Sequence, residues 1–302
     1  MPIQWYPGHM VKARRLMAEA MPSKDVIVEV LDARFPAASA NPVVAELRQR
    51  KPCLKVLSKS DLADPAVTKA WLRHFEDEAA RRGDKVAAIA TNAKRPAEAK
   101  AQVRDLCRRL VGRPTGHVKP VRAMIVGIPN VGKSTLINTM LGRKVANVGD
   151  IPAVTKAAQQ VVLDDGTVIS DNPGILWPNL DNEATSLRLA LGGAIPETAF
   201  DYETVGTFAA KLFLERYPRL VLARYKIDQA PPSPDALLVE IGRRRGALRS
   251  GGVVDLNKAG DVLVHDFRSG ALGRISLEAP GEASASPARP APPERLDDEL
   301  DE

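Results

Sequence analysis

The sequence predicts an α/β fold: a mostly parallel sheet with helices on both faces, then a small all-α domain and an acidic tail. Three observations carry that expectation. Short apolar runs alternate with helical stretches, the pattern of parallel strands buried on both faces. Each run ends in a polar loop, and in such sheets the functional loops gather at the carboxyl ends of the strands. After about residue 180 the apolar residues recur at helical spacing.

The elements follow in order. DVIVEVLDAR (25–34), PCLKVLSKSD (52–61) and DKVAAIATNAK (84–94) each give a short strand and then a polar loop, with a helix over PAVTKAWLRHFEDEAARR (65–82). A fourth strand, VRAMIVG (121–127), leads into a glycine loop. QQVVLDDGTVISDNPG (159–174) reads as a hairpin with Asp165-Gly166 at the turn. Further on, TVGTFAAKLFLERY (204–217) is helical. Ser233 and Pro234 open a helix whose apolar face holds Leu237, Leu238, Ile241 and Leu248. Asp255 caps a last helix, with Leu256, Ala259, Leu263 and Phe267 on one face and Gly270 as its stop. These elements divide the chain into a first domain over 1–180, a helical domain over 181–279 and a disordered, Pro/Ala-rich then acidic tail over 280–302.

At 302 residues, 44% hydrophobic and 26% charged, the composition is that of a soluble globular protein. No run of about 18 apolar residues predicts a membrane span, and the basic N-terminal stretch has no apolar core of the secretory kind. Cys53 and Cys107 have no CxxC partner and read as reduced core thiols of a cytoplasmic protein. The net charge is +6, but the tail from residue 280 carries seven acids and two bases, which leaves the body at +11. An excess of that size suits a polyanionic partner; an arginine-rich compositional bias is the bland alternative.

The chemistry is concentrated in a few loops. GIPNVGKS (127–134) matches GxxxxGK[ST] between a strand and a helix, so its backbone N–H groups can wrap phosphates. Asn130, Val131, Gly132, Lys133, Ser134 and Thr135 are the candidate phosphate-loop residues, with Lys133 on the β/γ oxygens and the Ser134 hydroxyl on Mg²⁺. In SDNPGIL (170–176), Asp171 is placed to hold Mg²⁺ through water and the Gly174 amide to touch the γ-phosphate. Thr155 lies between the two stretches, where a second hydroxyl ligand to Mg²⁺ is expected. SKSD (58–61) is one residue from the NKxD box that reads guanine: Asp61 would take the N1 and N2 hydrogens and the Lys59 stem would pack over the base. Ser58 in place of Asn is expected to hold that loop less tightly. Thr91 and Asn92, in ATNAK (90–94), fit the second base loop. The base loops come before the phosphate loop, the reverse of the usual order. A circular permutation keeps such a site intact, because new chain ends at surface loops leave the spatial arrangement unchanged.

These stretches, with WYPGHMVKARR (5–15), LDARFPAASANP (31–42), DNPGILWP (171–178) and LLVEIGRRRGALRSGGVVDLNKAGDVLVHDFRSGALGRISLE (237–278), resemble the circularly permuted GTPases of the ribosome biogenesis GTPase A family. The resemblance covers nearly the whole chain short of the tail. Ser58, Ala153 and Asn172 depart from the family's usual Asn, Gly and Thr. The resemblance implies a permuted P-loop GTPase domain and a cytoplasmic, monomeric GTP hydrolase. It would bind precursors of the large ribosomal subunit in the GTP state and leave after hydrolysis. The position that carries the water-orienting Gln of Ras-like enzymes is Ile175. In its place the resemblance implies His9, swung toward the γ-phosphate on the ribosomal subunit, and a K⁺ ion held partly by Asn130. The permutation leads the 171–180 loop directly into the helical domain. Arg243, Arg244, Arg245 and Arg249, with Lys12, Arg14 and Arg15, are candidates for ribosomal RNA backbone contacts. Two other readings stay open: a nucleotide-regulated scaffold that scarcely hydrolyses, and an ATPase.

Overall fold

In the computed structural model the described residues are 8–113, 117, 119–142, 159–171, 173–177 and 182–282, without the side chains of His9 and Gln159. Thr155, Ala153, Asn172 and the tail beyond 282 fall outside that description.

A six-stranded sheet forms the first part. Its strands are β1 (Val26–Asp32), β2 (Cys53–Ser58), β3 (Val86–Ala90), β4 (Arg122–Val126), β5 (Gln159–Val162) and β6 (Val168–Asp171). Their spatial order is β3-β2-β1-β4-β6-β5. All neighbours are parallel except β5 and β6, the hairpin expected from Asp165-Gly166, where Gly166 takes a φ of +80°. β1 is central and largely apolar, and all seven of its residues are buried, Glu29 and Asp32 included, as a strand covered on both faces requires. Cover thins at the edges: β3 is half-buried along its length, and Val162 on β5 is exposed.

Helices clothe the sheet. α1 (Gly8–Ala20) buries Met10, Ala13 and Met17. Two short helices, α2 (Pro36–Ser39) and α3 (Pro42–Arg48), follow β1. α4 (Pro65–Arg82) spans the stretch expected from sequence. Asp64 caps it by accepting from Ala66 N at 2.8 Å, and left-handed Gly83 ends it. Its Trp71 and Phe75 close a satellite core with Leu31, Leu57 and Ala63. α5 (Pro96–Leu110) and α6 (Lys133–Leu141) complete this part.

The rest is helical: α7 (Glu183–Leu191), α8 (Tyr202–Arg216), α9 (Pro218–Tyr225), α10 (Pro234–Arg245) and α11 (Leu256–Ser269). The caps at Ser233 and Asp255 form as expected, and Gly270 stops α11 in a left-handed conformation. Leu248 departs from expectation. α10 ends at left-handed Gly246, so the helical register stops before Leu248, which instead forms a β-bridge with Val254 and stays 41% exposed. Past α11 the chain returns to the sheet: Ile275 N donates to the Leu62 carbonyl at 3.0 Å and Leu277 N to the Arg34 carbonyl at 2.7 Å. Cys53 and Cys107 are free and buried, and burial pushes their thiols up to about 11 and about 12, so both stay protonated and inert.

Candidate functional site

The sheet order puts the carboxyl ends of β2, β1 and β4 side by side, which brings the base box to the phosphate loop although 71 residues separate Lys59 from Asn130. The phosphate loop leaves β4 at Gly127, whose φ is +150°. A Cβ there would sit 2.6 Å from the Val30 carbonyl oxygen, so only glycine lets the loop pass this close to β1. Left-handed Gly132 then starts α6 at Lys133, and the loop's amides converge on a helix N-terminus.

Lys133 is buried inside this curl and donates to the Ile128 carbonyl at 2.7 Å. Burial lowers the pKa of its ammonium, the nearby Asp171 carboxylate opposes that shift, and Lys59 adds repulsion. A cation held where its charge is disfavoured gains by meeting an anion. Gly174 lies directly against the loop: a Cβ would stand 2.7 Å from both Lys133 Nζ and Pro129 N. Backbone cannot step aside, so Gly174→Ala is expected to destabilise the protein by about 1–3 kcal/mol. Denaturant unfolding of the ligand-free protein reads this; an unchanged midpoint would mean the loops are not in contact.

Ser134 lies in the first turn of α6, and Asp171, 2% exposed, closes β6 beside β4. Between them they offer only hydroxyl and carboxylate oxygen, the donors Mg²⁺ prefers. The residues therefore fit a magnesium ion carried in with nucleotide phosphates.

On the base side, Lys59 has a left-handed backbone, φ +54°, and its ammonium donates to the Asn130 carbonyl at 2.8 Å. Ser58 makes a contact that its sequence does not reveal. Its hydroxyl bonds the Val131 carbonyl, with the Leu31 carbonyl at 3.0 Å, so it ties the base loop to the phosphate loop itself. A short hydroxyl suffices for this contact because β2, β1 and β4 lie side by side and bring these backbones together. The two base loops are joined at Thr91, whose carbonyl accepts from Ser60 N at 3.2 Å and Ser60 Oγ at 2.9 Å. Asn92 closes its own turn by accepting from Lys94 N at 2.7 Å. Asp61, Thr91 and Asn92 line one cavity of about 230 Å³, with Ser60 and Arg274 on its wall.

Three further participants have no role in the sequence reading. Asp32 pairs with Lys59 at 3.0 Å and with Arg34 at 2.8 Å. Arg274, from the returning C-terminal segment, donates to the Asp61 carbonyl at 3.2 Å. Asp32 and Arg34 lie in the LDARFPAASANP stretch and Arg274 in the 237–278 stretch, where nothing local shows what they touch.

Other expected residues stand as follows. Ile175 is fully buried and its carbonyl accepts from Asn41 Nδ2 at 2.8 Å, so it presents nothing to a water molecule. Asn130 donates through Nδ2 to the Gly193 carbonyl at 2.8 Å, a direct link from the phosphate loop to the turn after α7. His9 is in the first turn of α1, whose next residue, Met10, accepts from Leu176 N at 3.4 Å. That contact lays α1 along the segment after Gly174. Thr155 cannot be placed, since it lies outside the described residues.

Known proteins share this arrangement. Residues 122–195 match the family described as 50S ribosome-binding GTPase. Ribosome biogenesis GTPase A of Bacillus licheniformis is 38% identical over 287 residues, covering 93% of this chain and 99% of the relative. The protein of that name from Thermotoga maritima is 31% identical, covering 92% and 95%. The structure of GNP-bound YlqF from T. maritima superposes with a TM-score of 0.63 at 27% identity, covering 89% of this chain and 99% of that one. With the rotated order of loops around one site, this full-length similarity shows that the chain belongs to the ribosome biogenesis GTPase A family, GTPases with a circularly permuted domain.

Proposed function

We propose that this GTPase acts on precursors of the large ribosomal subunit in the cytoplasm, binding them as a monomer in its GTP state and leaving after hydrolysis. The observation that carries the reading is the junction of base box and phosphate loop, where Ser58 and Lys59 bond Val131 and Asn130. It supports Lys59 lying over a guanine and Asp61 reading it, with Thr91 and Asn92 at the second base loop. Lys133, Val131, Gly132, Thr135 and the Gly174 amide would hold the phosphates. Mg²⁺ is the cofactor of GTPases generally, and it neutralises phosphate charge; Ser134, Asp171 and Thr155 would hold it. No helix among the described residues is long and apolar enough to cross a membrane.

The subunit-facing surface is less simply basic than its sequence. Arg243 and Arg244 both face Glu240, at 3.2 and 3.4 Å, Arg249 pairs with Asp255 at 3.2 Å, and Arg245 lies 3.9 Å from Asp266. Surface pairs of this kind are weak, and arginines still outnumber acids there, so a phosphate backbone can compete for them. On α1, Lys12 is exposed, while Arg14 and Arg15 face Glu46 and Glu19.

Hydrolysis needs a group to orient water, and buried Ile175 is not one. His9 is the reading for that role, supported by α1 lying against the segment after Gly174. Asn130, its amide oriented by Gly193, is the reading for a K⁺ contact that adds positive charge beside the phosphates. GTP turnover in K⁺ buffer, with and without purified large subunits, tests this. Subunits are expected to raise turnover strongly, Na⁺ to lower it, and His9→Ala to remove about 100-fold of the stimulated rate while GTP binding stays intact. No stimulation by subunits would favour the scaffold reading, to which the burial of Ile175 also lends itself.

A further inference from the structure

Asp32 ends β1, opposite Ser58 on β2, at the point where the sheet brings the base box and the phosphate loop together. Its side chain is 1% exposed, yet it holds two cations. Arg34 grips it with Nε on Oδ1 at 2.9 Å and Nη2 on Oδ2 at 2.8 Å, and Arg34 N adds a third bond to Oδ1 at 3.1 Å. Lys59 Nζ reaches Oδ2 at 3.0 Å. Burial alone would raise the carboxyl's pKa, but Arg34 and then Lys59 outweigh it and hold the group ionised, well below the usual carboxylate range.

Arg34 is itself fixed. Its guanidinium lies 4.5 Å from the ring centroid of Phe267 on α11, Nη1 donates to the Phe267 carbonyl at 3.4 Å, and its carbonyl accepts from Leu277. The carboxylate is thus a rigid acceptor. Lysine is a flexible chain with a point charge at its end, and it loses rotamer freedom when it is held. Here two acceptors, Asp32 Oδ2 and the Asn130 carbonyl, fix the direction of the Lys59 ammonium before any ligand arrives. Buried ionic groups like these are not an economical way to stabilise a core, since apolar residues of equal size often do better. A directional role accounts for the trio better than stability does.

We propose that Asp32 is a positioning residue for guanine recognition, holding the Lys59 stem in the place where it packs over the base, with Arg34 anchoring Asp32 to α11. This rests on Lys59 lying over the base, as in the function proposed above. Prepositioning lowers the ordering cost of binding, so its loss falls on the base and not on the phosphates.

Titration calorimetry with GDP and with tripolyphosphate, a probe without a base, separates the two. Asp32→Asn is expected to weaken GDP about tenfold, the cost of one charge-assisted contact, and to leave tripolyphosphate unchanged. In a Lys59→Met background the same substitution should cost nothing further, because the two residues act as one unit. Equal losses for both probes, or an undiminished loss in the Lys59→Met background, would show a general structural role and overturn the proposal. If Asp32→Asn leaves Arg34 too poorly paired to fold, Asp32→Asn with Arg34→Gln removes both buried charges, and the same expectations apply. If the parent protein prefers GDP and the variants keep that preference, only the role of Asp32 falls. If the parent shows no preference for GDP over tripolyphosphate, the base-reading assignment falls and takes the proposal with it.

Discussion

Lys133→Ala is expected to abolish nucleotide binding, with a loss of at least roughly 100-fold for GDP and GTP alike, because a buried charged donor to phosphate oxygen is removed. The rise in thermal midpoint that a bound nucleotide brings is expected to vanish when GDP is added to the variant. A variant that still gains stability from GDP would contradict the placement of Lys133 at the phosphates.

Asp61→Asn is expected to change which base is bound. A carboxylate accepts from both the N1 and the exocyclic N2 hydrogens of guanine; an amide offers one acceptor and one donor, which suits xanthine, where a carbonyl replaces the amine. GTP affinity should fall about 100-fold while xanthosine triphosphate gains, since a site with buried, mispaired polar groups rejects its old ligand strongly. The structure makes the exchange a clean one. Asp61 is held through its backbone carbonyl by Arg274 at 3.2 Å, and the loop through Ser60 and Thr91, so the frame does not depend on the carboxylate. Lys94 lies 3.1 Å from that carboxylate on the exposed rim and loses only a surface partner. Competition binding with the two nucleotides reads the change. Unchanged GTP binding would remove Asp61 from the base site and reopen the ATPase reading.

What the sequence reveals and what it hides follows from range. The phosphate loop, the Asp171–Gly174 stretch and the caps at Ser233 and Asp255 depend on residues close together in the chain. They could be read directly from local patterns. The rotated order was also legible, because each loop follows an apolar strand and parallel strands put such loops on one edge. The role of Ser58 was not. A serine in an asparagine's place says nothing of the Val131 carbonyl, which comes within reach of its hydroxyl only because β2, β1 and β4 lie side by side. The same holds for Arg274, 213 residues from Asp61, and for the Asp32–Lys59 pair, set by strand register. Leu248 failed for a different reason. Its spacing continues the helical pattern, but Gly246 ends the helix first, and backbone conformation overrides periodicity.

Side-chain contacts join the sheet part to the helical part on two flanks. Asn130 of the phosphate loop bonds Gly193, while Arg268 of α11 donates to the Ala190 carbonyl at 2.9 Å and the Leu191 carbonyl at 3.2 Å. On the other flank, Arg34 stacks on Phe267 of α11. The Asn130 contact starts in the phosphate loop, and the Arg34 contact starts beside Asp32, which holds Lys59. Sedimentation of the protein with purified large subunits, under GDP, GTP and a non-hydrolysable GTP analogue, tests the central claim most directly. Cosedimentation with the analogue, transient association with GTP and release with GDP are the expected results. Equal association in all three states would contradict a GTP-controlled cycle on the large subunit.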